Sequence, residues 1–303
     1  MSTAAEILNV YWQIIDGTNL LLLIAILLPL EFLFPVTPVP LKKRLPQFLF
    51  VIFTFPLILL AMKLSFAVLS GTDFTVESLM NYGEIPEANL GFLPALNLAP
   101  FFQAIPFPGV VFALLFLFLS DGALYWWHRA MHRIEILWAF HKMHHQDDNL
   151  NLFTSNVAHP FHSPFWTFFA NVLKPYVILC AGSEIAPSGS ADAVLTYLVA
   201  IKAQGWLIHS NTKISFGPLN WILVSPQVHR IHHSKDAKYR DMNYTNFFPF
   251  WDIVFGTYYF PKKNEWPETG IEGEPFPTSQ WELAIQPFKV WKSWLNRRMI
   301  RTA

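Results

Sequence analysis

All eleven histidines of this 303-residue chain lie between residues 128 and 233. They read His128-x-x-x-His132, then His141-x-x-His144-His145, then His159 and His162, then His209, and finally His229-x-x-His232-His233. On a helix, residues three and four apart share a face. His128 and His132 therefore point one way together, and so do the three histidines of each HxxHH group. The adjacent pair in HxxHH diverges by about 100° around the helix, so one member can reach one ion and its neighbour a second. A lone histidine in such a chain reads as a satisfied polar or interfacial residue. Two HxxHH groups beside an i,i+4 pair read as a metal site instead. Neutral imidazole suits zinc, iron, copper and nickel alike. Nine or more ligands exceed what one ion accepts, which argues for two. A zinc hydrolase would show three protein ligands, often within HExxH, and the chain has no His-Glu pair.

The elements that must hold these histidines are apolar. Hydrophobic residues make up 53% and charged residues 14%, where about 25% charged is usual. The balanced charge gives no sign of a nucleic-acid partner. A single cysteine, Cys180, excludes a disulfide framework, a zinc ribbon and a cysteine-held iron–sulfur cluster within the chain. Five apolar runs stand out: Thr18 to Phe34, Phe48 to Leu69, Gly109 to Trp127, Phe165 to Gly182 and Ala193 to Ile208. The first three reach the length of a membrane span, and the last two are short enough for a buried hairpin. The first is expected to stay as an anchor, because Glu6 and Asp16 precede it without any Lys or Arg. Lys and Arg alternate from connection to connection, present at Lys42–Arg44, at Arg129–Lys142 and from Lys213 onward, and missing from 1–17, 70–108 and 183–192. By the positive-inside rule, residues 128–164 and 209–303 are cytoplasmic. The expected fold is an all-α integral membrane protein, a helical transmembrane bundle with a cytoplasmic histidine-rich helical cap.

The segments DGALYWWHRAMH, LWAFHKMHH, IHSN, SPQVHRIHHS and NYTNFFPFWDIVFGTYYFP, from about Asp121 to Pro261, resemble the sterol desaturase and fatty acid hydroxylase superfamily. The resemblance implies a membrane di-iron oxygenase that hydroxylates or desaturates a sterol, fatty acyl chain, alkylglycerol or carotenoid. It carries over His128, His132, His141, His144, His145, His209, His229, His232 and His233 as metal ligands. Together with the apolar runs and the charge pattern, it divides the chain into three expected parts: 1-108 as a membrane anchor region of two transmembrane helices plus a proline-rich external or interfacial loop, 109-262 as the catalytic domain, and 263-303 as a basic cytoplasmic tail. One departure from the family pattern is the run His159-Pro160-Phe161-His162, where relatives carry HPxE, so that His162 replaces an acid; Val157 stands where relatives have an arginine.

Other residues are candidates for ligation or for supporting the ligands. Asp121 lies in the third apolar run two turns before His128, where an acid is costly and usually functional. It could orient a histidine from a neighbouring helix or make a helix-interface hydrogen bond. His159, His162, Asn151 and Asn243 are possible ligands or supports, Tyr244 matches a family position, and Trp251 and Asp252 read as packing and turn-forming residues. Trp126 and Trp127 read as interface anchors.

The expected cofactors are two iron ions, with zinc able to replace them in purified protein, plus O₂ and an external electron donor. No GxGxxG or cysteine cluster occurs, so a separate reductase with a cytochrome or ferredoxin donor is implied. The expected partners are thus a lipid substrate, the membrane and that donor. The setting would be a bacterial cytoplasmic membrane or an ER membrane, with the active site on the cytoplasmic side. A membrane haem-type electron carrier is the alternative; it needs only two histidines per haem, placed within the spans.

Overall fold

The computed structural model describes residues 17–58, 60, 96–104, 106, 108–159 and 203–302. These are helical, with three isolated β-bridges and no longer strand pairing among the described residues. The helices are α1 (Gly17–Leu33), α2 (Leu41–Leu49), α3 (Ala99–Ala104), α4 (Pro108–Arg133), α5 (Glu135–His145), α6 (Pro226–His232), α7 (Phe250–Val254) and α8 (Gln280–Thr302). Residues 203–209 are also helical.

Among the described residues one helix, Val110–Arg133, is long and apolar enough to cross a membrane, and Leu20–Leu33 is a shorter apolar helix. Both carry large apolar side chains on an uncovered face, Leu21, Leu22 and Ile26 on α1 and Val110, Leu114 and Leu119 on α4. The second apolar run from residue 61 onward, the whole of the fourth and the fifth up to residue 202 lie outside the described residues.

Two expectations change. The basic stretch Lys42–Arg44 is not a loop but the first turn of α2, which starts after Pro40 and runs on through a π-helical turn, Phe50–Thr54. Arg44 is buried there because it pairs with the carboxylate of Glu31. The basic tail is likewise not free. Helix α8 packs along α5, burying Leu283 against Phe50, Met143 and Val157. The Trp291 indole donates to the Ile136 carbonyl at 2.9 Å, and Arg297 pairs with Glu135.

The histidine-bearing helices are positioned by short connections. Only Ile134, in extended backbone, separates α4 from α5, so the chain turns sharply between the two histidine groups. Helix α6 starts at a Ser-Pro pair: Ser225 accepts the Val228 N–H at 3.3 Å, and Pro226 fills the first helical position, where its missing N–H costs nothing. The end of α1 meets the stretch after His209, with Val36 donating to Asn211 and Lys213 donating to Phe34. That pairing sets α1, α2 and the histidines at one end of the bundle.

Candidate metal centre

Nine histidines converge in two groups. His128 and His132 from α4, His141 and His145 from α5, and His232 from α6 form one; His144 from α5, His209, and His229 and His233 at the end of α6 form the other. Within each group the ligating atoms all lie within 4.8 Å of one another. Both HxxHH motifs divide in the same manner. Their outer members, four residues apart, stay together, and the middle member crosses to the other group.

Backbone carbonyls fix the tautomers. His128 Nδ1 donates to the Tyr244 carbonyl at 2.7 Å, and His232 Nδ1 to that of Met242 at 2.8 Å. In the second group His144 Nδ1 donates to Thr154 at 3.0 Å and His209 Nδ1 to Gly205 at 2.5 Å. A carbonyl only accepts, so each of these rings, when neutral, carries its lone pair on Nε2. Those Nε2 atoms face one another, His232 against His128 at 3.0 Å and His144 against His209 at 3.1 Å. Lone pairs so placed repel unless a cation lies between them. Further Nε2 pairs, His128–His141 and His209–His229, stand at 2.9 Å. Metal–imidazole bonds of about 2.1 Å meeting at a right angle would span about 3.0 Å, so the spacing fits a shared ion. His132 Nε2 is buried without a hydrogen-bond partner, an acceptor that a cation would satisfy.

Electrostatics keeps the rings available. Burial first, and repulsion by neighbouring imidazoles second, hold His141, His145, His229 and His233 well below the usual histidine range. Burial depresses His232 in the same way, and His209 lies at about 4. At neutral pH these imidazoles are unprotonated, as a metal site would require.

The other candidates take different places. Asp121 meets no imidazole; its carboxylate accepts the backbone N–H groups of Asn246, Phe247 and Phe248, at 3.3, 3.1 and 2.8 Å. It braces the loop that presents the Tyr244 carbonyl to His128. Asn243 sits in that loop at φ +57°, a left-handed conformation that asparagine tolerates. Its side chain donates to Val228 on α6 and Tyr259, and accepts the Tyr259 N–H. The carbonyls on either side of it, Met242 and Tyr244, are the two that hold His232 and His128. Asn151 caps a 3₁₀ turn, Leu152–Asn156, through a reciprocal pair of bonds with Thr154, and so shapes the turn whose Thr154 carbonyl holds His144. His159 belongs to neither group. It is buried against the rings of Phe140 on α5 and Phe288 on α8, a packing position, and burial lowers it to about 4. His162 lies outside the described residues.

Asp252 anchors the same loop from below, accepting from the backbone N–H groups of Tyr244 and Thr245 and from both threonine hydroxyls, Thr245 and Thr257. The Trp251 indole donates to the Phe118 carbonyl at 3.1 Å and lies over Gly122, where a Cβ would stand 2.5 Å from the ring. Trp126 is half exposed and packs on Phe255. Thr154 and Glu31 were given no role from the sequence. Only Glu31 carried a signal, as a charge inside the first apolar run.

The fatty acid hydroxylase family matches residues 113–257, which contain all nine histidines of the two groups. Over that stretch, just under half of its length, the chain is similar to the fatty acid hydroxylase family. Alkylglycerol monooxygenase of Danio rerio is 36% identical over 141 residues, 46% of this chain and 28% of that protein. Ornithine lipid hydroxylase OlsE of Rhizobium tropici is 29% identical over 195 residues, 64% of this chain and 56% of that protein. Very-long-chain aldehyde decarbonylase GL1-7 of Oryza sativa subsp. japonica is 28% identical over 171 residues, 52% of this chain and 25% of that protein. The chain thus spans about a quarter to just over half of the length of these relatives. No solved structure matches it.

Proposed function

We propose that this protein is a membrane oxidoreductase that holds two iron ions, one in each histidine group, and uses them with O₂ to hydroxylate or desaturate a lipid. The observation that carries the reading is the set of carbonyl-fixed tautomers, which aim neutral imidazole lone pairs at common points. Nine neutral nitrogens, with no carboxylate among the ligand atoms of the two groups, favour a centre that rests reduced. When bound, a ferrous pair supplies the electrons and Lewis acidity that let O₂ attack an unactivated C–H bond. The chain's own part is geometric. The loop 241–257 holds His128 and His232, and the turn 151–156 holds His144, in one tautomer and one orientation before any ion binds.

Access to the centre supports an external electron donor. A cavity of about 770 Å³ opens beside the five-histidine group, with His132, His145 and His232 in its wall. Its rim is ionic, including Arg133, Lys142, Lys235 and Arg240, which suits water and a protein partner rather than an acyl chain. Trp138 lies in the same wall with its ring 5.1 Å from that of His132 and 5.5 Å from that of His145. It is the aromatic contact through which electrons would reach this group. The donor would be a cytochrome or ferredoxin served by a separate reductase, on the cytoplasmic side.

The substrate is read as a lipid because the relatives' names are those of lipid-modifying enzymes, and because α1 and α4 expose large apolar side chains. Lipid extracts of cells with and without the gene, grown under ¹⁸O₂, test this directly. One lipid should gain a single ¹⁸O atom, or two hydrogens should be lost, only when the gene is present. Identical lipid profiles would overturn the proposal.

A further inference from the structure

We propose that Glu31, in the last turn of α1, is the positioning residue of the four-histidine group, an inference that rests on the reading of that group as an ion site. Glu31 is fully buried. One of its oxygens, Oε1, accepts two backbone N–H groups from distant parts of the chain, Leu152 and Asn211, each at 2.7 Å. The other, Oε2, pairs with Arg44, itself 2% exposed.

Each N–H belongs to a segment that carries one ligand. Leu152 opens the 3₁₀ turn whose Thr154 carbonyl fixes His144. Asn211 stands two residues after His209, and its side chain donates to the Thr37 carbonyl at 2.6 Å. A single carboxylate oxygen therefore ties together the supports of His144 and His209, whose Nε2 atoms meet at 3.1 Å. The apolar side of α1 grips the same two segments, with Leu20 and Leu27 packed among Leu152, Phe153 and Trp206. Among the described residues nothing comparable joins Glu31 to the five-histidine group, whose His128 and His232 are held by the loop 241–257. A buried charge pair is an expensive way to join helices, and apolar residues often do as well. What an apolar pair cannot supply is an acceptor for two converging N–H groups. Glu31 and Arg44 also lie outside residues 113–257, the stretch that the family match covers.

The test compares two double variants of the full-length protein in detergent. Glu31→Leu with Arg44→Met removes both charges and the acceptor. Glu31→Gln with Arg44→Gln removes both charges but keeps an acceptor oxygen. Iron per chain, the Mössbauer spectrum and amide hydrogen exchange at Leu152 and Asn211 are the readouts. The Leu/Met variant should lose about 10- to 100-fold in affinity for one ion, keep the other with its spectrum unchanged, and exchange both amides rapidly. The Gln/Gln variant should keep two ions and both protected amides. Two firmly held ions in the Leu/Met variant, loss of both ions together, or equal behaviour of the two variants would each overturn the proposal. Should the unmodified protein hold no ion pair, the reading of the centre fails, and the exchange data still decide whether Glu31 fixes the two segments.

Discussion

The two histidine groups are built from the same motif and held in different ways. The five-histidine group is assembled by α4 and α5, one residue apart, and by α6 from much later in the chain, and it borders an ionic cavity. The four-histidine group draws His144 and His209 into place through a carboxylate on α1, more than a hundred residues away. Identical ligand chemistry is thus compatible with two supports, one from the carbonyls of the loop 241–257 and one from a buried carboxylate on α1. The difference predicts unequal vulnerability. Loss of a ligand from the group of four leaves three, whereas loss from the group of five leaves four.

The largest effects should come from the crossing members of the motifs. His144→Ala and His232→Ala are each expected to abolish turnover while the protein stays in the membrane. His144→Ala should lose the ion of the four-histidine group, and His232→Ala should weaken that of the other group less. Iron analysis of the two purified variants checks this, and equal losses would break the comparison.

Next comes the loop that serves the five-histidine group. Asp252→Ala leaves two backbone N–H groups and two hydroxyls without their buried acceptor, a cost of about 3–5 kcal/mol. Thermal unfolding should fall accordingly, and the remaining folded protein should lose iron from the five-histidine group first. A smaller loss is expected from Gly122→Ala. The new methyl would stand 2.5 Å from the Trp251 ring, and overpacking of this kind costs about 1–3 kcal/mol. An unchanged unfolding temperature would show that Trp251 is free to move aside.

The smallest effect tests a residue outside both groups. His159→Phe should keep both ions. Burial holds His159 at about 4, below the ordinary 6.5, so the folded state binds its proton less readily than the unfolded chain does. Its contribution is complete above pH 6.5 and declines as pH falls from 6.5 towards 4, by at most about 1.4 kcal/mol per pH unit. Unfolding curves across that window should therefore be flatter for the Phe variant than for the parent.

The division of the motifs was legible because it depends on helix geometry alone: residues 141 and 145 must share a face, and residues 144 and 145 must diverge. The identity of the nine converging histidines was readable for the same reason, with the family resemblance adding His209. What could not be read was which backbone each polar residue meets. Asp121 was expected beside a histidine or at a helix interface, and it holds N–H groups 125 residues further on, a pairing that only tertiary packing decides. Glu31 looked like an interruption of an apolar run, and Lys42–Arg44 like a loop, because the partner that buries Arg44 is itself that interruption. His159 resembled a family position, yet the ring faces of Phe140 and Phe288 claim it instead.

The most direct test of the centre is the iron content and Mössbauer spectrum of the active, ⁵⁷Fe-grown protein in detergent. The account predicts two iron ions per chain in two inequivalent, nitrogen-rich environments, with no Soret band. One ion per chain, a haem spectrum, or full activity in iron-free protein would contradict it.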